Sequence, residues 1–127
     1  FLAGAHPSVM ATVAKDGRPV AVATWFLSEG GGRILVNLDA ERVRLAHLRR
    51  EPRFALDVLN PDDWYSHLSL QLVADDYRDD TDLVDIDALS RHYLGKPYPN
   101  RHRPRVSVRA QISRWSRWEP SRTESGR

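Results

Sequence analysis

The sequence predicts a mainly β, α+β fold in which six antiparallel strands form a small barrel and two short helices sit at its ends. Three observations carry this. Two hairpin signals fall within the first forty residues, segments of period-two apolar alternation recur along the chain, and only two stretches change to helical spacing. The 127 residues are 41% hydrophobic and 28% charged, which fits one folded domain. Residues 1–118 are read as that domain and 119–127 as a flexible polar tail.

Ser8 to Ala14 (SVMATVA) alternates as a first strand. It runs into Lys15-Asp16-Gly17-Arg18, where Gly accepts a positive φ without steric cost, and Pro19 to Leu27 (PVAVATWFL) returns antiparallel. Glu29 to Gly32 (EGGG) is the next turn and Arg33 to Leu38 (RILVNL) a third strand. At Asp39 the period changes. Asp39 reads as an N-cap, Ala40-Glu41-Arg42 as a first turn, and the helix runs to Arg50 before Pro52 ends it. Phe54 to Leu59 is a fourth strand, Asn60-Pro61-Asp62-Asp63 a turn, and Trp64 to Tyr77 a longer fifth strand, imperfect around Ala74-Asp75-Asp76. A second helix spans about Asp82 to Leu94, with Arg91 and His92 in its last turn and Gly95 as its C-terminal stop. Pro97 to Pro104 is a loop, and Arg105 to Ile112 (RVSVRAQI) the sixth strand. So small a barrel has little apolar surface to bury, and a homodimer is expected to complete it.

Several functions are disfavoured. The longest uncharged apolar stretch, Val20 to Leu27, is far short of the roughly 20 residues a membrane span requires, and no secretory signal opens the chain. A cytoplasmic protein with no membrane partner is expected. Cysteine is absent, which removes thiolate nucleophiles and thiolate metal ligands. The serines lack a nucleophile-elbow context, the five His show no metal-ligand spacing, and Gly30-Gly31-Gly32 lacks the GK[ST] ending of a phosphate loop. No metal is expected, and no catalytic side chain can be named.

Charge is more informative. Of 19 cations 17 are Arg; seven Asp lie between Asp75 and Asp87, and eight Arg lie between Arg101 and Arg127. Four Arg share the first helix. Arg49 and Arg50 sit in its last turn, where the helix dipole favours cations. Arg42 and Arg44 sit at its start, where the dipole disfavours them and backbone N–H groups lack partners. Two guanidinium forks beside free N–H groups, directly after a strand, make a site for a phosphate; a solvated basic face is the other reading. Trp25 and Phe26 point to opposite faces of their strand, so one of them lies inside, and a surface Trp25 packs either a dimer interface or a cofactor ring. Trp115 and Trp118, at helix-like spacing beside Arg114 and Arg117, leave single-stranded nucleic acid as a rival ligand.

The order of these parts resembles the split β-barrel family of pyridoxamine-phosphate-oxidase-like proteins, and within it the deazaflavin-dependent branch. The matching residues are Ala11-Thr12-Val13, Lys15-Asp16-Gly17-Arg18-Pro19, Trp25-Phe26, Ile34-Leu35-Val36-Asn37, Arg42-Val43-Arg44, Leu48-Arg49-Arg50-Glu51-Pro52 and Tyr93-Leu94-Gly95-Lys96-Pro97-Tyr98, followed by Trp115 and Trp118. The resemblance implies an FMN-binding split-barrel type of fold and a homodimer with two cofactor clefts at the subunit interface, each holding coenzyme F-420 or FMN. It implies that Arg42 and Arg44 grip the cofactor phosphate with help from His47, and that Thr24, Trp25 and Asn37 line the tricycle. The activity implied is hydride transfer from reduced F-420 to a small organic substrate. An FMN-dependent oxidase or reductase is the alternative, and a non-enzymatic cofactor-binding or nucleic-acid-binding module the reading from another class. Two features depart from the family pattern. Its fifth-strand Gly is replaced by the stretch Leu70-Gln71-Leu72-Val73, and its N-terminal helix is mostly missing.

Overall fold

The computed structural model describes residues 1–120 and 122–126. Its strands are β1 (Ser8–Val13), β2 (Pro19–Thr24), β3 (Leu27–Gly30), β4 (Arg33–Asp39), β5 (Arg53–Leu59), β6 (His67–Asp79), β7 (Arg105–Glu119) and β8 (Arg122–Gly126); its helices are α1 (Val43–Arg50) and α2 (Val84–Leu94). The mainly β chain with two helices is as expected. The six-stranded closed barrel is not: the strands form one open antiparallel sheet in the order β2-β1-β5-β6-β7-β4-β3, with β8 on β7.

The count differs first because the expected second strand breaks at Trp25-Phe26, and its two halves become the opposite edges of the sheet. Among the described residues no ladder joins β2 to β3. Yet Thr24 and Leu27 are three Cα steps apart, at most about 11 Å. The sheet therefore curls at least enough to bring the end of one edge strand beside the start of the other, at the Trp25-Phe26 joint. Phe26 is driven there by burial: it is wholly enclosed, in one cluster with Met10, Leu48, Leu56, Leu70 and Val108. Burying side chains of this size is worth about 1.5–3 kcal/mol each, enough to interrupt a strand. The joint is held by the hydroxyl of Tyr93, which accepts the Phe26 N–H (3.3 Å) and donates to the His6 carbonyl (2.8 Å).

Both helices begin later than the sequence predicts. Asp39 is not the cap of α1; it stays in β4, opposite Arg105 of β7, and its carboxylate takes Arg103 (2.8 and 3.1 Å) and the Glu41 N–H (2.9 Å). The ladder outcompetes the cap because it satisfies the backbone at the same time. Arg42 becomes the N-cap, in extended conformation and with no side-chain capping bond. The eight residues of α1 are too few for a helix stable alone, and Leu45 and Leu48 anchor it to the core. At α2, the residue before the helix is Leu83 in a left-handed conformation (φ 60°). Asp80 supplies the capping carboxylate, accepting the N–H groups of Asp85 (3.1 Å) and Ile86 (2.9 Å). Gly95 ends α2 as predicted, at φ 75° with its N–H on the Arg91 carbonyl.

β7 runs past the predicted end at Ile112. Register shifts by one residue at Ser113, whose hydroxyl donates to the Gln71 carbonyl (3.1 Å), so the irregularity facing Leu70-Gln71-Leu72 is carried by β7 and needs no Gly in β6. A second shift sits at Asp75, the flaw anticipated around Ala74-Asp76, and Asp75 pairs with Arg33 (2.6 and 2.7 Å). Because β7 is a strand, Trp115 and Trp118 lie on opposite faces rather than on one helical face. Trp115 packs against the core cluster and Trp118 is 47% exposed, so they form no shared stacking platform. Of the segment 119–127, expected as a loose tail, Arg122–Gly126 pair as β8 with the edge that β7 leaves open. Ser121 and Arg127 lie outside the described residues. No helix among those described is long and apolar enough to cross a membrane.

Candidate functional site

The split in the sheet opens into a cleft of about 690 Å³. The end of β2 contributes Thr24 and Trp25, β4 contributes Asn37 and Asp39, and the start of α1 contributes Arg42 and Arg44. Tyr93 comes from α2, Tyr98 and Asn100 from the loop after it, and Arg105 from the first position of β7. The fold thus brings together Thr24, Trp25, Asn37, Arg42 and Arg44, five of the residues the sequence singles out. His47 is not among the lining residues. It is buried beneath α1 with Nδ1 2.9 Å from the hydroxyl of Thr12, a contact that satisfies it inside the protein. A separate hollow of about 280 Å³ between Leu2 and the β6–β7 ladder is mostly apolar, and its one cation, Arg117, is engaged by Glu119.

The electrostatics of the cleft follow from pairing. Arg33, Arg101, Arg103 and Arg109 each rest on a carboxylate within 2.9 Å. Arg42, Arg44 and Arg105 have no carboxylate partner among the described residues, although all three line one cavity. Arg44 shows the strain most clearly: burial above all, and then the charges of Arg42 and Arg105, hold its guanidinium below the usual arginine value. Its one hydrogen-bond acceptor is the Met10 sulfur at 3.7 Å, a weak one. The single carboxylate in the wall, Asp39, is already committed. The hydrogen bond from Arg103 is the main cause that pushes its pKa down to about 2, against the opposing effect of burial. Three cations with no carboxylate hydrogen bond among the described residues, beside a helix start without a side-chain cap, are chemistry that suits an anion with several oxygens.

Part of the lining is aromatic. Trp25 stacks on Tyr93 (5.3 Å between centroids, 11° between planes) and meets Tyr98 edge-on (6.1 Å, 88°). Phe26 is the inward partner of the Trp25-Phe26 pair, and Trp25 faces the cleft rather than lying on an outer surface. Asn37 is less available than its position implies. Its amide donates to Asp80 (3.1 Å) and Ser107 (3.1 Å), and its oxygen accepts from Arg105 (2.7 Å). It orients neighbours and has no donor left for a ligand. Thr24 keeps its hydroxyl nearly free, with one long contact of 3.4 Å to the Trp25 carbonyl.

Sequence reasoning missed Arg105, Tyr93 and Tyr98 as lining residues. Arg105 reads as the opening of a strand, and only the register that sets it opposite Asp39 puts it in the cleft. Tyr93 and Tyr98 flank the Gly95 helix stop. A helix end carrying two tyrosines five residues apart is the signal that was there to be used.

A curled antiparallel sheet, split at one joint, with a cationic and aromatic-lined cleft at the split, is split-barrel architecture, and the cleft is its candidate ligand site. The chain belongs to the pyridoxamine 5′-phosphate oxidase family, whose sequence pattern it matches over residues 1–119, a family that includes oxidoreductases. Among curated proteins none matches. Among solved structures, the chain is similar to an F-420 reductase (24% identity, 91% of this chain and 92% of that one, TM-score 0.81). It is also similar to General Stress Protein 26 from Bacillus anthracis (18% identity, 99% and 92%, TM-score 0.70). A heme binding protein from Mycobacterium smegmatis matches as well (18% identity, TM-score 0.66), and the chain spans 53% of it. These likenesses establish the fold.

Proposed function

We propose that the protein is an oxidoreductase that binds coenzyme F-420 in the cleft and reduces a small organic substrate. The observation that carries this reading is the convergence of Arg42 and Arg44, with no carboxylate partner among the described residues, at the uncapped start of α1 in a cavity that Arg105 also lines. The donor set fits a phosphorylated cofactor with a flat ring system. Guanidinium forks and helix N–H groups suit phosphate oxygens, the aromatic wall suits a tricycle, and the cavity volume is in the range of cofactor sites. When bound, such a cofactor supplies the hydride; the protein supplies orientation, charge neutralisation and exclusion of water. Arg42 and Arg44 neutralise the phosphodiester, the Thr24 hydroxyl and Trp25 lie along the ring, and Asn37 acts through Arg105. His47 supports α1 from beneath and touches no ligand.

A second copy of the chain is proposed to complete the cleft. The face of β1, β2 and β5 opposite the core presents Val9, Ala11, Ala21, Ala23 and Ala55, apolar side chains with Asp57 as their charged neighbour, and β2 leads from it directly into Thr24 and Trp25 of the cleft. FMN is the second reading, favoured by one feature: Arg42 and Arg44 suit the doubly charged phosphomonoester of FMN as well as they suit a phosphodiester. Protein made in a host lacking F-420 is titrated with both cofactors. Micromolar or tighter F-420 binding that exceeds FMN binding is expected. FMN bound tenfold more tightly reverses the choice, and binding of neither removes the proposal.

A further inference from the structure

We infer that Arg105 is the anchor for a carboxylate on the substrate, so that the cleft selects flat organic acids; this deepens the cofactor reading above and rests on it. The three cations of the cleft are held in different ways. Among the described residues, exposed Arg42 makes no side-chain bond and Arg44 has only the Met10 sulfur. Both can adjust to a tetrahedral phosphate. Arg105 is aimed. Its Nε donates to Asn37 Oδ1 (2.7 Å), its Nη2 reaches the Asn37 carbonyl (3.3 Å), and its guanidinium lies over the Tyr98 ring at 5.0 Å. That leaves the Nη1 edge for a guest.

The fixing of Arg105 goes deeper than its own contacts. Asn37 is buried and held by Asp80 and Ser107, and Asp80 is held in turn by the first N–H groups of α2. A buried polar chain of this length costs desolvation, and it provides no ion pair for Arg105. What it secures is direction. Asp39, opposite Arg105 in the ladder, would be the natural hydrogen-bonded partner, but both of its oxygens accept from Arg103. Arg105 feels that carboxylate only through space, and its remaining guanidinium donors stay open. Tyr98 is positioned as deliberately: Asp87 accepts its N–H (2.9 Å) and also binds Arg101, which donates to the Tyr98 carbonyl. Beside the directed guanidinium, Tyr98 and Trp25 meet at a right angle, a corner shaped for a flat group. A planar two-oxygen anion carried on an aromatic or conjugated body matches both halves of this arrangement. The competing account makes Arg105 a third phosphate ligand.

The test is calorimetric titration with benzoate and its uncharged counterpart benzamide, on protein saturated with F-420 and on cofactor-free protein. Benzoate is expected to bind at least tenfold more tightly. In Arg105→Ala that preference falls to within twofold while benzamide binding is unchanged, in Arg44→Ala it persists, and F-420 affinity in Arg105→Ala stays within threefold. Arg105→Lys keeps a charge and a donor to Asn37, guards against misfolding, and is expected to retain part of the preference. No preference in the wild type overturns the inference, as does preference surviving in Arg105→Ala. So does a loss of F-420 affinity in that variant as large as in Arg44→Ala. Failure of the cofactor reading is separate: F-420 does not bind, while the benzoate preference is still read on the cofactor-free protein.

Discussion

Truncating Arg44 to alanine changes two quantities in opposite directions, and both follow from its surroundings. In the ligand-free protein its guanidinium is half-buried, faces the charges of Arg42 and Arg105, and has only a sulfur acceptor. Removing it relieves desolvation and like-charge repulsion, so thermal stability without cofactor is expected to stay level or rise. In the complex, a charge-assisted hydrogen bond to phosphate is worth about 1.5–3 kcal/mol. At about 1.4 kcal/mol per factor of ten, Arg44→Ala weakens cofactor binding by roughly 10- to 150-fold. Fluorescence titration of the cofactor, paired with a thermal melt of the free protein, reads both. Raising salt weakens the wild type more than the variant, because the variant has less charge to screen. An unchanged Kd would refute the assignment. So would a weakened Kd accompanied by an equivalent loss of stability, which makes Arg44 a structural residue.

Two other perturbations separate structural from ligand-binding roles. Asp39 in the folded protein titrates at about 2, below the ordinary 3.8. A depressed folded value means that its contribution is complete above about pH 4 and is lost as pH falls toward 2. The shift corresponds to at most about 2.5 kcal/mol, and to about 1–2 kcal/mol once screening at the half-exposed Arg103 is allowed for. Acid unfolding followed by circular dichroism should therefore be flatter in this window for Arg103→Met; superimposable acid limbs would contradict the pairing. Thr12→Val leaves the buried Nδ1 of His47 without its partner, at a cost of about 1–3 kcal/mol in stability. Cofactor affinity is expected to stay within twofold, and a weakened affinity at unchanged stability would return His47 to the ligand site.

What could be read in advance followed local rules. Alternation located β1, β4 and β5, Gly17 and Gly95 marked a turn and a helix end, and the odd placement of Arg42 and Arg44 against the helix dipole singled out two residues that line the cleft. Taking Asp39 as the cap nevertheless set the start of α1 three residues early. What failed depended on partners distant in sequence. Asp39 looks like a cap until β7 is laid beside β4, and Pro19 to Leu27 looks like one strand until burial of Phe26 breaks it. Trp115 and Trp118 have helical spacing in a segment that β6 draws into a ladder. In the cleft, positions near the ends of predicted elements were legible. Arg105 and the Tyr93–Tyr98 pair were not, because register and packing give them their neighbours. His47, which the resemblance implies beside the phosphate, lies buried with its Nδ1 at the hydroxyl of Thr12, thirty-five residues away, a partner no local pattern reveals.

The pairing of β4 with β7 has a consequence for how the chain matures. Asn37 and Ser107 are ladder partners seventy residues apart, and closing so distant a contact is slow. During synthesis the hairpin of β3 and β4 emerges early and must wait for β7, with Ile34, Leu35 and Val36 uncovered meanwhile. Arg33 and Asp39 bracket that apolar run and serve as gatekeepers against sticking to other nascent chains. The guanidinium of Arg105 arrives only with β7, so the cleft has its full lining only in a chain long enough to lay that strand beside β4.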